Sequence, residues 1–437
     1  MAADLRVSST TAATHSIRPE RRAVARFFII TINYAPEPSG FAPHVTALAE
    51  HLGRHGHRVS VFTGFPFAPE WRRREEDRGR GFAIERDGNL VVHRLTHFIP
   101  RRPSSAWQRI LMEGSFSAAG FVAVAAAMLK SGRPDVFIYV GAQPALAMLV
   151  RVVAALARRP YVVRITDLAA RAAVDVGIVG GRFSRILDAF EFAAYTKAAG
   201  AAVLCQSFEQ TLAEYGYPAD RVRVIANPID VQKIRPVSRN GRFRARYGIP
   251  ADAFVVMHAG SMGLKQGLLN VIAGADLTRQ STIHWVFVGD GEVRPQLVEA
   301  TRARGLQNNV HFVPFQPDAA MSETFADADL LLVNQVRAVK DTLIPGKLLT
   351  YMAAGRPVLV AANPESQAAR LLRDAGGGVL IEPEDPSALA VAARQFSSSD
   401  SATLRSLGER NRAYAEQHFD QEKVLSEQEQ FLLRQIH

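Results

Sequence analysis

The chain has 437 residues, 48% hydrophobic and 22% charged, a length that makes about two to four domains at the usual ~100–200 residues each. These proportions exclude bulk disorder and a collagen-like chain, and the one cysteine, Cys205, excludes an internal disulfide or a multi-cysteine metal site. The net charge of +10 is lopsided: residues 1–225 hold 29 Lys and Arg against 19 Asp and Glu, while residues 226–437 hold 23 of each. A basic first half suits nucleic acid, anionic lipid headgroups or a phosphorylated substrate.

Residues 1–25 are rich in Ser, Thr, Ala and Arg, with no apolar core or small-residue cleavage site. They are expected to be a disordered basic arm and not a secretory signal. Regular alternation then begins. Strand 26–33 (RFFIITIN) leads to helix 43–55, strands 57–63 and 90–97, a helical region over 106–129 and strand 135–140. Helix 143–157, strand 161–166, helix 182–198 and strands 201–205 and 222–226 follow. The stretch 116–129 is the most apolar, but its 14 residues fall short of the ~20 needed to span a bilayer. It is expected to be a buried helix, with a membrane-facing amphipathic helix as the alternative.

The polar, proline-containing stretch 227–240 breaks the pattern and marks a domain boundary. Alternation restarts with strand 254–259, helix 265–275, strand 285–289, helix 293–304 and strand 310–313. Helix 318–326, strand 330–333, helix 346–353 and strand 358–361 complete it, and the tail from Pro386 reads as helical and charged. The expectation is an α/β protein of two doubly wound, Rossmann-like domains, 26–226 and 227–395, facing a central cleft. Helices in 396–437 are candidates to pack back on the first domain.

Open parallel sheets bind ligands at the carboxyl ends of their strands, and unusual residues sit there. After the first strand, NYAPEPSGFA places Gly40 just before a helix start, where backbone can approach an anion. Asp167 ends strand 161–166, either facing the cleft or capping the next helix. The run GSMGLKQG, with Ser261, Gly263 and Lys265, opens a helix and suits a phosphate or diphosphate; a plain glycine turn is the alternative. Gly289 and Asp290 form a turn able to wall a base or ribose pocket. Pro345, Gly346 and Lys347 open a helix that Gly355-Arg356-Pro357 closes, offering free amides and an ammonium as a second anion site. There is no GxGxxG, Walker A or HExxH pattern; His55 and His57 are expected to flank a turn, and Cys205 to be buried.

In order, the segments at 33–64, 65–71 (FPFAPEW), 164–177 (RITDLAARAAVDVG), 225–230 (IANPID), 258–268 (HAGSMGLKQGL), 287–297 (FVGDGEVRPQL) and 344–359 (IPGKLLTYMAAGRPVL) resemble the retaining GT-B glycosyltransferases of family GT4. The similarity covers about residues 26–395 and points to the WcaI-like and WbuB-like branch of exopolysaccharide and O-antigen enzymes. It implies a UDP- or GDP-linked sugar donor, held mainly by the second domain, and a hexosyl transfer to an acceptor on the first; that acceptor is expected to be a glycan or a polyprenyl-diphosphate-linked sugar, the latter suggested by the basic first domain. It implies no metal or other cofactor. By position, Lys265, Lys347 and the amides of Gly346 and Leu348 would grip the diphosphate, with Gly40 opposite. Gly289 and Asp290 would border the base, and Asp167 would approach the transferred sugar or the acceptor hydroxyl. The family commonly carries two glutamates eight residues apart; here Thr342, beside Asp341, and Thr350 stand in those places. A silent GT-B scaffold, a sugar-nucleotide-binding protein, a non-hydrolysing epimerase and a hinged ligand receptor share the plan and stay open. No nucleic-acid-binding module is present. The expected location is cytoplasmic, with Arg72–Arg74, Arg101 and Arg102 either meeting anionic lipid on the inner face of the membrane or forming a solvated arginine-rich face.

Overall fold

The structure is a computed structural model that describes residues 24–38, 40–68, 70–103, 105–167, 182–339 and 345–436. Most of the expected arm, residues 1–23, lies outside the described residues. Ala25 already belongs to the fold, since it is buried and its N–H donates to His57 Nδ1.

The first sheet comprises β1 (Arg26–Ile30), β2 (Arg58–Gly64), β3 (Phe82–Asp87), β4 (Leu90–Leu95), β5 (Val136–Gly141), β6 (Tyr161–Ile165), β7 (Gly200–Val203) and β8 (Val222–Val224). Their order is β3-β4-β2-β1-β5-β6-β7-β8, all parallel except β3, which pairs antiparallel with β4. Helices α1 (Ala42–Arg54), α2 (Ala106–Ser131), α3 (Pro144–Ala157), α4 (Arg182–Tyr195) and α5 (Gln206–Glu214) connect them. The runs Phe27–Ile30 and Val136–Tyr139 are wholly buried, as central parallel strands covered on both faces must be.

Chain order places α6 (Arg242–Arg246), α7 (Leu268–Asp276), α8 (Arg294–Ala303), α9 (Met321–Ala326), α10 (Gly346–Ala353), α11 (Gln367–Ala375), α12 (Pro386–Ser397), α13 (Ser401–His418) and α14 (Gln421–Leu433) after the boundary. The second sheet, β9 (Phe254–Ala259), β10 (Ile283–Val288), β11 (Val310–Val313), β12 (Leu330–Asn334), β13 (Val358–Ala361) and β14 (Gly378–Ile381), is parallel throughout in the order β11-β10-β9-β12-β13-β14. Both sheets are doubly wound and Rossmann-like.

Two chain crossings, side by side, join the domains. Ile229 N–H donates to Phe419 O at 2.8 Å, and Gln421 N–H donates to Ile229 O at 3.0 Å. After the second crossing α14 lies on the first domain, where Val424, Leu425, Phe431 and Leu432 bury with Val45, Leu48 and Leu52 of α1.

The expectation for 116–129 needs correction. The helix is longer, at 26 residues, and only the stripe Met112, Phe116, Gly120, Val124 and Ala127 is buried. Trp107, Ile110, Leu111, Phe121, Val122 and Leu129 are exposed. The buried stripe lies against α3, β2 and β4, so the helix is a wall of the domain with its outer face bare. By length and composition alone α2 would be able to cross a membrane.

Candidate functional site

In the second sheet the chain runs outward from β9 through β10 and β11, then returns to the other side of β9 as β12. The switch point between β9 and β12 opens a crevice at the strands' carboxyl ends. Three of the segments singled out from sequence meet there, and glycines make their approach feasible. Gly289 has φ +132°, and a Cβ on it would fall well inside contact distance of the Gly260 carbonyl oxygen. Gly260 itself, φ +126°, would place a Cβ 3.6 Å from both Cε and Nζ of Lys347. Hydrogen bonds from Gly260 N to Val288 O (2.8 Å) and Met262 N to Asp290 O (2.9 Å) lock the two loops together.

Ser261 is exposed on the first loop, and the Gly263 N–H donates to Gln266 Oε1 at 2.9 Å. Lys265 sits in a 3-10 turn, Leu264–Gln266, and not in the helix expected to begin there. Gly267, at φ +55°, ends the turn, and α7 starts one residue later. The loop is tied to the end of β12: Val336 N–H donates to Lys265 O at 3.0 Å, and Asn334 Nδ2 to Gln266 O at 2.7 Å. Asp290 is exposed, with Oδ1 accepting from the Gly291 N–H at 2.8 Å, so its carboxylate closes its own turn.

Lys347 is the second residue of α10, whose N-cap is Pro345. Its Nζ lies 3.2 Å from Nε2 of His258, at the end of β9. Burial pushes the Lys347 ammonium down to about 7. Burial also pushes His258 well below the usual imidazole range, with the charge of Lys347 adding to it, so a neutral imidazole faces the ammonium. The N–H groups of Gly346 and Lys347 belong to the first helical turn, where no intrahelical acceptor exists. The Leu348 N–H donates to Pro345 O at 2.8 Å and its side chain is fully buried, so that amide is occupied. Thr350 Oγ1 donates to Gly346 O at 3.2 Å. Asp341 and Thr342 lie outside the described residues.

The first-domain candidates sit just past the carboxyl ends of strands in the first sheet. Gly40, φ +66°, lies exposed between β1 and α1 with open space around it, and Asp167, half-buried, lies two residues past β6. Sequence reading missed Arg164. This guanidinium is buried in β6 and donates from Nη2 to Ala226 O (3.1 Å) and Asn227 Oδ1 (3.3 Å), where the chain leaves the domain. An arginine inside an apolar strand, YVVRI, was the available signal. The run Arg72–Arg74 is less free than expected. Arg73 stacks 3.9 Å from the Phe65 ring centroid and donates to Thr96 Oγ1 and Arg80 O, while Arg74 pairs with Glu76 at 3.6 Å.

Two doubly wound domains, with a crevice at the switch point of the second, make up the plan of the GT-B glycosyltransferases, which other two-domain proteins share. The chain belongs to that class, in the GT4 group: residues 39–228 match the glycosyl transferase 4-like domain, and residues 253–399 match the domain of glycosyl transferases group 1. It is 28% identical to the "Putative colanic acid biosynthesis glycosyl transferase WcaI" of Escherichia coli K12, over 92% of this chain and 98% of that one. The fold is also that of a sucrose-phosphate synthase from Thermosynechococcus elongatus (TM-score 0.75, 19% identity, 94% of this chain and 99% of that one). A second similar structure is HepE of Anabaena in complex with UDP (TM-score 0.70, 17% identity, 94% of this chain and 100% of that one).

Proposed function

We propose that this glycosyltransferase moves a hexose from a UDP- or GDP-linked donor to a growing, lipid-linked glycan in polysaccharide assembly, with retention at the anomeric carbon. One observation carries the reading: the enclosed ammonium of Lys347, on the first turn of α10, beside glycine loops that let a diphosphate come close. Negative charge grows on the diphosphate as the glycosidic bond breaks. Lys347, the α10 amides and Lys265 would oppose that charge where it develops. No metal or other cofactor enters the scheme. In the retaining course the acceptor hydroxyl attacks from the leaving-group side, and a phosphate oxygen of the departing diphosphate takes its proton. Gly40 and Asp167 would face the phosphates and sugar from the first domain; Gly289 and Asp290 would border the base. The name of the WcaI relative and the UDP held by HepE support the donor class and the setting.

A screen of UDP- and GDP-sugars for thermal stabilisation tests this. A donor at 100 times its dissociation constant adds about 2.7 kcal/mol, and a chain that no nucleotide stabilises would sink the reading. Thr350 favours a second reading, a silent scaffold, because its hydroxyl is bonded to its own helix at the place where the family resemblance implies a glutamate. Donor stabilisation without transfer, tracked by mass analysis of donor and acceptor, would decide for the scaffold, and an isomerised donor for an epimerase.

With a lipid-linked acceptor, the first domain would meet the inner membrane surface. Trp107, Ile110 and Leu111 are exposed at the start of α2 beside exposed Arg101, Arg102 and Arg109, the composition of an interfacial helix. The chain is expected to sediment with anionic vesicles at low salt, and Trp107→Ala with Ile110→Ser to weaken that binding. Equal sedimentation with neutral and anionic vesicles would count against it.

A further inference from the structure

At the end of the first domain away from the cleft, three imidazoles converge on one carboxylate. His51 lies in the last turn of α1, His55 follows that helix, and His57 precedes β2. All three reach Glu429, which α14 brings from the other end of the chain. His51 Nε2 is 2.8 Å from Glu429 Oε2, His55 Nδ1 is 2.5 Å from the same oxygen, and His57 Nε2 is 3.2 Å from Oε1. His51, His57 and Glu429 are buried, and His55 is partly open to solvent.

We propose that His51 Nε2, His55 Nδ1 and Glu429 form a structural site for a divalent transition ion, Zn2+ before others, that clamps α14 to the first domain. The spacing of four residues along α1 sets His51 and His55 on one face of the helix. Their ring centroids lie 4.0 Å apart, and the three donor atoms all fall within 4.8 Å of one another. Tetrahedral zinc, at ~2.0–2.1 Å from each ligand, needs donor atoms about 3.3 Å apart, so small side-chain adjustments admit it. Two imidazoles and a carboxylate are a donor set that zinc favours over magnesium or calcium. The open side at His55 leaves a fourth position for water and an entry path.

The proton positions argue for an ion more strongly than the distances. The Ala25 N–H donates to His57 Nδ1, so the ring proton of His57 is on Nε2 and donates to Glu429 Oε1. His57 is thereby an outer partner that orients the carboxylate. His51 has the opposite problem. If its Nε2 carries the proton toward Glu429, its buried Nδ1 has no hydrogen-bond partner and turns a lone pair toward Glu422 Oε2, 3.6 Å away. With an ion on Nε2 the ring proton moves to Nδ1 and points at Glu422. Glu422 then plays the outer-shell part usual for a metal-bound histidine. His55 must shift in the same way, its ring proton moving from Nδ1 to Nε2 so that Nδ1 can ligate, and with both imidazoles neutral no net proton is released. The cleft lies at the opposite, carboxyl end of the strands, so this clamp leaves the proposed transfer free of metal.

Full-length chain stripped with chelator and desalted is titrated with ZnCl2, with binding followed by calorimetry and unfolding by temperature. One equivalent is expected to bind and to raise the unfolding midpoint, with MgCl2 having no such effect. His55→Ala is expected to weaken zinc binding about 100-fold or more, and Glu422→Gln, at an exposed position, about 10–100-fold without loss of fold. Failure to bind one equivalent, or binding and stabilisation unchanged in both variants, overturns the proposal and leaves the cluster a hydrogen-bonded latch.

Discussion

Lys347→Ala is expected to lower sugar-transfer turnover by about 10²–10³-fold with the fold intact, the cost of removing one preorganised charge from a developing anion. The fold tolerates the change because Lys347 contributes an ammonium to the crevice, while the core face of α10 is carried by Leu348, Leu349, Tyr351 and Met352. The same residue predicts a pH signature. Burial holds the ammonium down to about 7 in the free chain, and a bound diphosphate would raise it again. Donor affinity is therefore expected to be flat below pH 7 and to fall by up to about tenfold per unit above it, since binding must then take up a proton. Stability should move the other way. Between about 7 in the fold and the ordinary lysine value of 10.5, the unfolded chain holds the extra proton, so this residue's contribution rises with pH across that window. Calorimetric titration of UDP and GDP from pH 6 to 9 in wild type and Lys347→Ala checks both claims. A variant with wild-type turnover, or with the same pH slope as wild type, removes Lys347 from the site.

The parts of this reading that were visible in sequence are those built from neighbours along the chain. Central strands such as Phe254–Ala259 and Val358–Ala361 are short apolar runs bounded by turn residues, and they stand within a residue of expectation or on it. Pro345-Gly346-Lys347 announces a helix start because each residue acts locally: the proline by its fixed φ, the lysine by its charge. Edge elements were missed for equally physical reasons. In β3, FAIERD, Phe82 and Ile84 remain exposed, so no burial imposes an apolar pattern, and β14 is four residues long beginning with glycine. Lys265 lies before the helix and not in it because Gly267, at φ +55°, ends the 3-10 turn and breaks the helical run that the spacing from Lys265 onward suggests. Contacts between distant residues left no trace. His258 and Lys347 are 89 residues apart, and His55 and Glu429 are 374 apart. The histidines show no persuasive metal spacing in sequence, and a ligand set completed by the last helix leaves none to find. The exposed face of α2 was missed because alanine and valine look alike to a hydropathy count whether another helix covers them or none does.

Phe431→Ala is expected to destabilise the first domain by about 3–5 kcal/mol, the range for deleting a buried aromatic ring. Phe431 is 3% exposed and lies across the start of β7, close enough that a Cβ on Gly200 would fall 2.7 Å from its ring. Its neighbours on α14, Leu425 and Leu432, are fully buried in the same cluster as Phe27, Ile29 and Ile138 of the central strands. The last helix is thus part of the core of a domain formed by residues two hundred or more positions earlier. Its loss would open that core while the second sheet, covered by α7 and α12 on its own apolar face, stays packed. Urea unfolding should therefore show the first-domain transition moving to lower denaturant while the second holds its place. The matched control is Leu269→Ala on α7, where the side chain is exposed and a change within about 0.5 kcal/mol is expected. If Phe431→Ala unfolds within about 1 kcal/mol of wild type, the last helix does not share the core of the first domain. A single joint transition shifted by 3–5 kcal/mol would show instead that the paired crossings at Ile229 and Gln421 make the two domains unfold as one.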